Sequence, residues 1–199
     1  ILIMDDGSID STAEKCRQFM QAHPDLDIHY HLQPFNQGKG AALRTGIALA
    51  TGDWIIIQDA DLEYDPEDYN PLLQWVIENN AKVVYGSRFL KPSNKHSYLR
   101  FYLGGRLVTF VTNLLYGQHL TDEPTCYKFF DAQFLKSIPL KCQGFEFCPE
   151  VTAKVCKKGI KIHEIPINYY PRSIAEGKKI NWKDGLEAIW TLLKYRFKN

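Results

Sequence analysis

The chain has 199 residues, 45% of them hydrophobic and 13% aromatic, which is enough to bury one substantial core and shows no compositional sign of disorder. A formal net charge of +1 argues against a protein that works on nucleic-acid backbone, because such domains are strongly basic, so any anion binding has to be local. The five cysteines (Cys16, Cys126, Cys142, Cys148, Cys156) contain no C-x-x-C pair and leave one over. That speaks against a disulfide framework or a zinc cluster and fits a reducing cytoplasm.

In chain order, short apolar runs alternate with helical patterns. The opening "ILIMDDGSIDST" has no initiator methionine or targeting segment, and its first residues read as the middle of a buried strand, so the chain is expected to be a fragment. A helix is predicted from about Ser11, where a Ser/Asp/Thr cluster signals its start. Then come a strand at "DIHYHL", a helix near Ala41 to Ala50, a strand at "DWIIIQ", a helix after Asp65-Pro66, and a strand at "KVVYG". Such alternation indicates βαβ units and a mostly parallel sheet covered by helices. After Arg88 the texture changes. Leu107 to Thr121 carries no charged residue, yet it is shorter than the roughly 20 apolar residues a membrane-spanning helix needs. Beyond it lie "KFFDAQFL", a helix around Glu150 to Lys157, paired strand-like runs in "IKIHEIPINYY", and a last helix from about Asn181 to Phe197.

The stretch "DWIIIQDADLEYDP" drives three isoleucines into Asp59, Asp61, Glu63 and Asp65. In an open α/β sheet, ligands bind at the carboxyl ends of the strands. Two carboxylates at i and i+2 point the same way on an extended chain and repel unless a cation joins them. Mg²⁺ takes one or two protein carboxylates and completes its shell with phosphate oxygens. Read alone, the same acids also fit a solvated turn before a helix. "DDGSIDST" brings Asp5 and Asp6 to the same carboxyl edge, or forms a turn and cap. "NQGKGAALRTG" sets Gly38 and Gly40 at a helix start where backbone N–H groups can face an anion; it also fits a tight turn. It is not a Walker A loop, because Lys39 is followed by Gly.

Taken in order and spacing, "DDGSIDST", "NQGKGAALRTGIALATGDWIIIQDADLEYDPEDY", "VVYGSRF", "TDEPTCYKFF" and "GFEFCPEVTAKVCKKGIKIHEIPINYYPRSIAEGKKINWKDG" resemble the inverting glycosyltransferases of family 2, within them the dolichyl/polyprenyl-phosphate mannosyltransferase-like branch. The resemblance covers nearly the whole chain. It implies an α/β GT-A fold, Rossmann-like with a mostly parallel sheet flanked by helices, here apparently without the family's first strand and its P-x-Y-N-E-like segment. It implies one domain over residues 1–199, with a donor-binding part (1–90) and an acceptor and membrane-side part (91–199). It also implies a nucleotide-sugar donor (GDP-mannose or UDP-glucose), Mg²⁺ or Mn²⁺, and a polyprenyl or dolichyl phosphate acceptor. Carried over residue by residue, Asp59, Ala60 and Asp61 become the D-x-D motif with Asp61 the direct metal ligand. Asp5 and Asp6 match the acids near the nucleotide, and Arg88 lines the donor pocket.

The chemistry then assigns roles. The departing diphosphate needs its charge neutralised, by a cation at Asp59/Asp61 and by Arg172, Lys178 and Lys179 of "RSIAEGKK". A saccharide hydroxyl acceptor needs a base, for which Asp122 or Glu123 is the candidate; a lipid phosphate does not, because its second pKa of about 6 leaves it largely ionised. Arg106 can meet such a phosphate or be a helix-surface charge. In the last helix Trp182, Leu186, Ile189, Trp190, Leu193 and Phe197 recur at helical spacing among Lys183, Lys194, Arg196 and Lys198. The pattern fits either a membrane surface, at the cytoplasmic face, or packing on the sheet. The alternatives to a lipid-phosphate transferase are a family 2 enzyme acting on a saccharide hydroxyl and an inert nucleotide-binding GT-A module.

Overall fold

The structure is a computed structural model that describes residues 1–95, 98–173 and 181–198. Strand β1 (Leu2–Asp5) pairs in parallel with β2 (His29–Leu32) across helix α1 (Thr12–Ala22). Helix α2 (Lys39–Leu49) leads to β3 (Trp54–Ile56); a 3-10 turn (Pro66–Asp68) and helix α3 (Tyr69–Glu78) lead to β4 (Val83–Ser87). Helix α4 (Leu99–Tyr116) starts eight residues before the uncharged stretch. Strand β5 (Lys128–Asp131) runs directly into the short α5 (Ala132–Lys136), followed by α6 (Phe147–Lys157), β6 (His163–Pro166) and α7 (Trp182–Phe197).

The strands form two ladders, β1-β2 and β3-β5-β4-β6. Strands β4 and β6 are parallel, while β5 lies antiparallel to both β3 and β4, so the larger sheet is mixed. Only one of the two strand-like runs expected in "IKIHEIPINYY" is a strand, β6; after it Tyr169 makes a single bridge to Tyr64.

Alternation explains the layering. Val83 and Tyr85 of β4 and Phe130 of β5 face one way, into a core with Ile47 of α2, Leu135 of α5 and Phe147, Val151 and Val155 of α6. Val84 and Phe129 face the other way, against Leu72 and Val76 of α3 with Tyr127 and Ile167. Full burial of each such side chain contributes about 1.5–3 kcal/mol. A third cluster, Val108, Ala153, Leu192 and Tyr195, joins α4, α6 and α7. Asn181 caps α7 with a reciprocal capping box to Asp184. Among the described residues, no helix is long and apolar enough to cross a membrane.

Candidate active site

Strands β1 and β3 belong to different ladders, yet both end at the amino terminus of α2. From β3, Lys39 Nζ lies 2.7 Å from each carboxylate oxygen of Asp59 and donates to Cys126 Sγ at 3.3 Å. Burial works against the Lys39 charge, but Cys126 and Asp59 outweigh it and push its pKa up. From β1, the Asp6 carboxylate accepts from the backbone N–H groups of Gln37 (2.8 Å) and Gly38 (2.7 Å) and from Gln33 Nε2 (3.0 Å).

The Gly38 amide therefore faces an internal anion in place of the outside one that the sequence allowed. Asp6 supplies the anion for Gly38, and Ala41 N donates to Gln143 O. The glycines serve close packing instead: a Cβ on Gly38 would sit 2.4 Å from Gln143 O, and its φ of +95° is one that side chains resist.

Asp5 is buried and holds the turn after β1, accepting from Ser8 N at 2.8 Å and Tyr30 Oη at 2.5 Å. Burial disfavours its carboxylate, but those hydrogen bonds prevail and keep its pKa below the usual value.

The D-x-D segment is a turn, not the extended continuation of β3, and its two carboxylates meet different cations. Asp61 Oδ2 accepts from Arg172 at 2.7 Å, and Asp61 Oδ1 from Glu63 N at 3.1 Å. Ala60 between them is exposed. The chain folds back through Leu62, a non-glycine residue at φ 61° with an exposed side chain, the kind of strained backbone that concentrates at functional sites. Burial raises the Asp61 pKa; the Glu63 N–H and Arg172 oppose this while Asp59 and Glu63 reinforce it. Glu63, buried, accepts from Arg172 N at 2.8 Å. Among the described residues no three His, Cys, Asp or Glu side chains form a ready-made metal cage, so Asp59 and Asp61 offer a hard cation only part of its shell.

Arg88, just beyond β4, is bound by Asp122 in a bidentate pair: Nε to Oδ2 and NH2 to Oδ1, both 2.7 Å, with Arg88 N also donating to Oδ2 at 2.9 Å. Burial opposes the guanidinium charge, but Asp122 overrides it and holds its pKa well above the ordinary value. The Arg88 guanidinium lies over the Tyr169 ring at 5.1 Å. Asp122 is itself seated by Glu164 of β6, which accepts from the N–H groups of Thr121 (2.6 Å) and Asp122 (2.8 Å). Arg106 of α4 reaches the same corner, donating to Thr121 O at 3.0 Å and stacking over Phe89 at 5.3 Å. Glu123 points inward, fully buried, with neither carboxylate oxygen hydrogen-bonded.

Thus Asp6, Asp59, Asp61 and Arg172 gather around the turn after β3 and the start of α2, while Arg88, Arg106 and Asp122 gather at the end of β4. Lys178 and Lys179 lie outside the described residues. Sequence reasoning passed over Lys39, dismissed once the Walker A pattern failed, and Glu164, read only as part of a strand.

Residues 1–138 match the family model described as glycosyl transferase family 2. The chain belongs to glycosyltransferase family 2. Every candidate above except Glu164 and those of the 172–179 segment lies within the matched part. Among relatives of this family 2 chain, a dolichyl-phosphate beta-glucosyltransferase of Trichomonas vaginalis is 28% identical over 98% of this chain and 60% of its own length. A low-salt glycan biosynthesis hexosyltransferase of Haloferax volcanii is 28% identical over 81% of this chain and 40% of its own. The family 2 chain thus spans less than two thirds of either protein; the first is named for dolichyl phosphate and the second for hexose transfer in glycan biosynthesis. A crystal structure of glucosyl-3-phosphoglycerate synthase from Mycobacterium tuberculosis with uridine diphosphate superposes on the whole chain and 69% of its own, with a TM-score of 0.67 at 17% identity. The fold is GT-A.

Proposed function

We propose that the chain is the GT-A part of a metal-dependent inverting glycosyltransferase that moves a hexose, glucose or mannose, from UDP-glucose or GDP-mannose to a polyprenyl or dolichyl phosphate. Residues 1–90 form the donor side and residues 91–199 the acceptor and membrane side. The observation that carries this reading is the state of Asp122, whose two oxygens are both taken by Arg88. A carboxylate so occupied is poorly placed to take a proton from a hydroxyl, whereas a phosphate monoester arrives already ionised. The names of the relatives, one a dolichyl-phosphate glucosyltransferase, support the same acceptor class.

Asp61, with Asp59 beside it, would hold Mg²⁺ or Mn²⁺, which when bound neutralises charge on the donor diphosphate as a Lewis acid. The chain's own groups do the rest. Lys39 fixes Asp59, Glu63 N–H fixes Asp61, and Arg172 brings a positive charge to the same turn. Arg88, held by Asp122, lines the donor pocket after β4, and Arg106 beside it presents a guanidinium suited to a phosphate acceptor.

Helix α4, which carries Arg106, and α7, packed on it, also expose apolar faces. On α4, Leu99, Leu103, Leu107, Phe110 and Leu114 are exposed at one helical spacing, and on α7 Trp182, Leu186, Trp190, Leu193 and Phe197 repeat that spacing. Ile189 turns inward instead and packs with Leu192. With Arg100, Lys183, Lys194 and Arg196 on the same helices and Lys198 just beyond α7, these faces support peripheral binding at the cytoplasmic face of a membrane.

The test is a panel of UDP- and GDP-hexoses against short polyprenyl phosphates, with products identified by mass. Transfer to a saccharide hydroxyl but not to a polyprenyl phosphate overturns the acceptor assignment. Donor binding without transfer to either, by the longest natural form of the protein, supports an inert module instead.

A further inference from the structure

The Asp59–Glu63 turn carries three carboxylates, and among the described residues Lys39 and Arg172 meet them on different terms. Lys39 contacts both oxygens of Asp59 at 2.7 Å. Arg172 gives Asp61 a single 2.7 Å bond from NH2; its Nε stands 3.8 Å from Glu63 Oε1 and, although buried, has no hydrogen-bond partner. Arg88, by contrast, has both Nε and NH2 satisfied by Asp122. Arg172 is thus held at Asp61 by charge with an incomplete set of bonds, the arrangement that a competing cation displaces most readily.

We propose that Arg172 stands in the charge position of the divalent cation at Asp61, so that metal and Arg172 compete for that carboxylate while Lys39 keeps Asp59 out of the exchange. The inference rests on the cation seat in the proposed function and adds to it an internal competitor. Charge favours the exchange. A doubly charged ion in place of the singly charged guanidinium brings one more positive charge to a turn that carries Asp59, Asp61 and Glu63. Once displaced, Arg172 is a free guanidinium beside a site that binds a diphosphate.

Mn²⁺ binding, followed by the electron paramagnetic resonance of free Mn²⁺ without any donor, tests this in the wild type, Arg172→Gln, Arg172→Lys and Asp61→Asn. Loss of the competitor in Arg172→Gln should tighten Mn²⁺ binding, within the roughly 5–150-fold range of coupled sites. Arg172→Lys keeps the charge and should stay near the wild type, and Asp61→Asn should lose the binding. In the unmutated protein, Mn²⁺ should also speed tryptic cleavage after Arg172 relative to other sites. Equal or weaker Mn²⁺ binding in Arg172→Gln, or no Mn²⁺ binding to either protein, overturns the competition, as does cleavage after Arg172 that Mn²⁺ leaves unchanged. None of these measurements uses a sugar donor or an acceptor. Normal exchange with failed transfer therefore faults the proposed function alone, and normal transfer without exchange faults only this inference.

Discussion

Asp122→Asn should act first on the fold around Arg88. In the native protein the Asp122 carboxylate is fully buried and receives three hydrogen bonds from one residue, Arg88 N, Nε and NH2, at 2.7–2.9 Å. Asparagine keeps one acceptor oxygen but turns an NH₂ group toward a donor of Arg88, leaving a nearly buried guanidinium without its counter-charge. Breaking one partner of such a pair typically costs about 3–5 kcal/mol. For a domain of this size that corresponds to a fall in Tm of roughly 6–20 °C. Thermal unfolding followed by circular dichroism reads the effect. A cycle with Arg88→Leu and Asp122→Leu separates coupling from simple loss of packing, because removing both charges together should cost less than the two single losses added. A Tm shift for Asp122→Asn within error of zero, or strict additivity in the cycle, would refute the view that Asp122 is occupied by Arg88, and would return it to candidacy as a base.

Three further outcomes follow from the same geometry. Asp61→Asn should abolish metal-dependent donor binding and turnover, and EDTA should do the same to the wild type; calorimetric donor binding that persists in either case removes the cation seat. Gly38→Ala should destabilise by about 1–3 kcal/mol, from its positive φ and the 2.4 Å approach to Gln143 O, and more than Gly117→Ala, where φ is +62° but nothing lies within 4 Å; equal Tm losses would contradict this. Glu123→Gln should stabilise the protein near neutral pH by about 1–3 kcal/mol, because burial outweighs the help of Lys128 and raises the Glu123 pKa above 4.5. Folding then takes up a proton, so the Glu123 contribution is complete below pH 4.5 and is lost as pH rises through the folded pKa. The advantage of Gln should accordingly shrink toward acid, and urea unfolding at several pH values that shows a pH-independent difference would sink the assignment.

The helices and most strands were legible because period and caps are local: the Ser11 cluster opens α1, Asp65-Pro66 opens the 3-10 turn before α3, and Asn181 caps α7. Strand direction is not local. Nothing in "KFFD" tells that β5 runs against both neighbours, since that depends on where the chain arrives after α4. The acids of the site were found from their position after apolar strands, but their partners were not. Asp6 meets Gly38 across 32 residues, Asp61 meets Arg172 across 111, and Arg88 meets Asp122 across 34. The Lys39 contact was missed because the glycine loop was compared with a phosphate-binding pattern, whereas its actual partner is a carboxylate of the turn after β3. The apolar spacing of α7 was visible, but whether it faced lipid or sheet was a matter of its rotation, set by Leu192 and Tyr195 packing on α4 and α6.

The first turn of α2 fastens Asp6 from one ladder and Asp59 from the other, although no strand hydrogen bonds join the two ladders. The spacing of the donor-side acids is consequently a property of a helix end and not of a sheet register. A small rotation of α2 carries both carboxylates together, and a substitution that loosens α2 detunes both at once. Gly40, whose added Cβ would come within 2.9 Å of backbone on the Cys142–Gly144 segment, ties that same helix end to the carboxyl-terminal half of the chain. Disturbances of that segment have a mechanical route to the site.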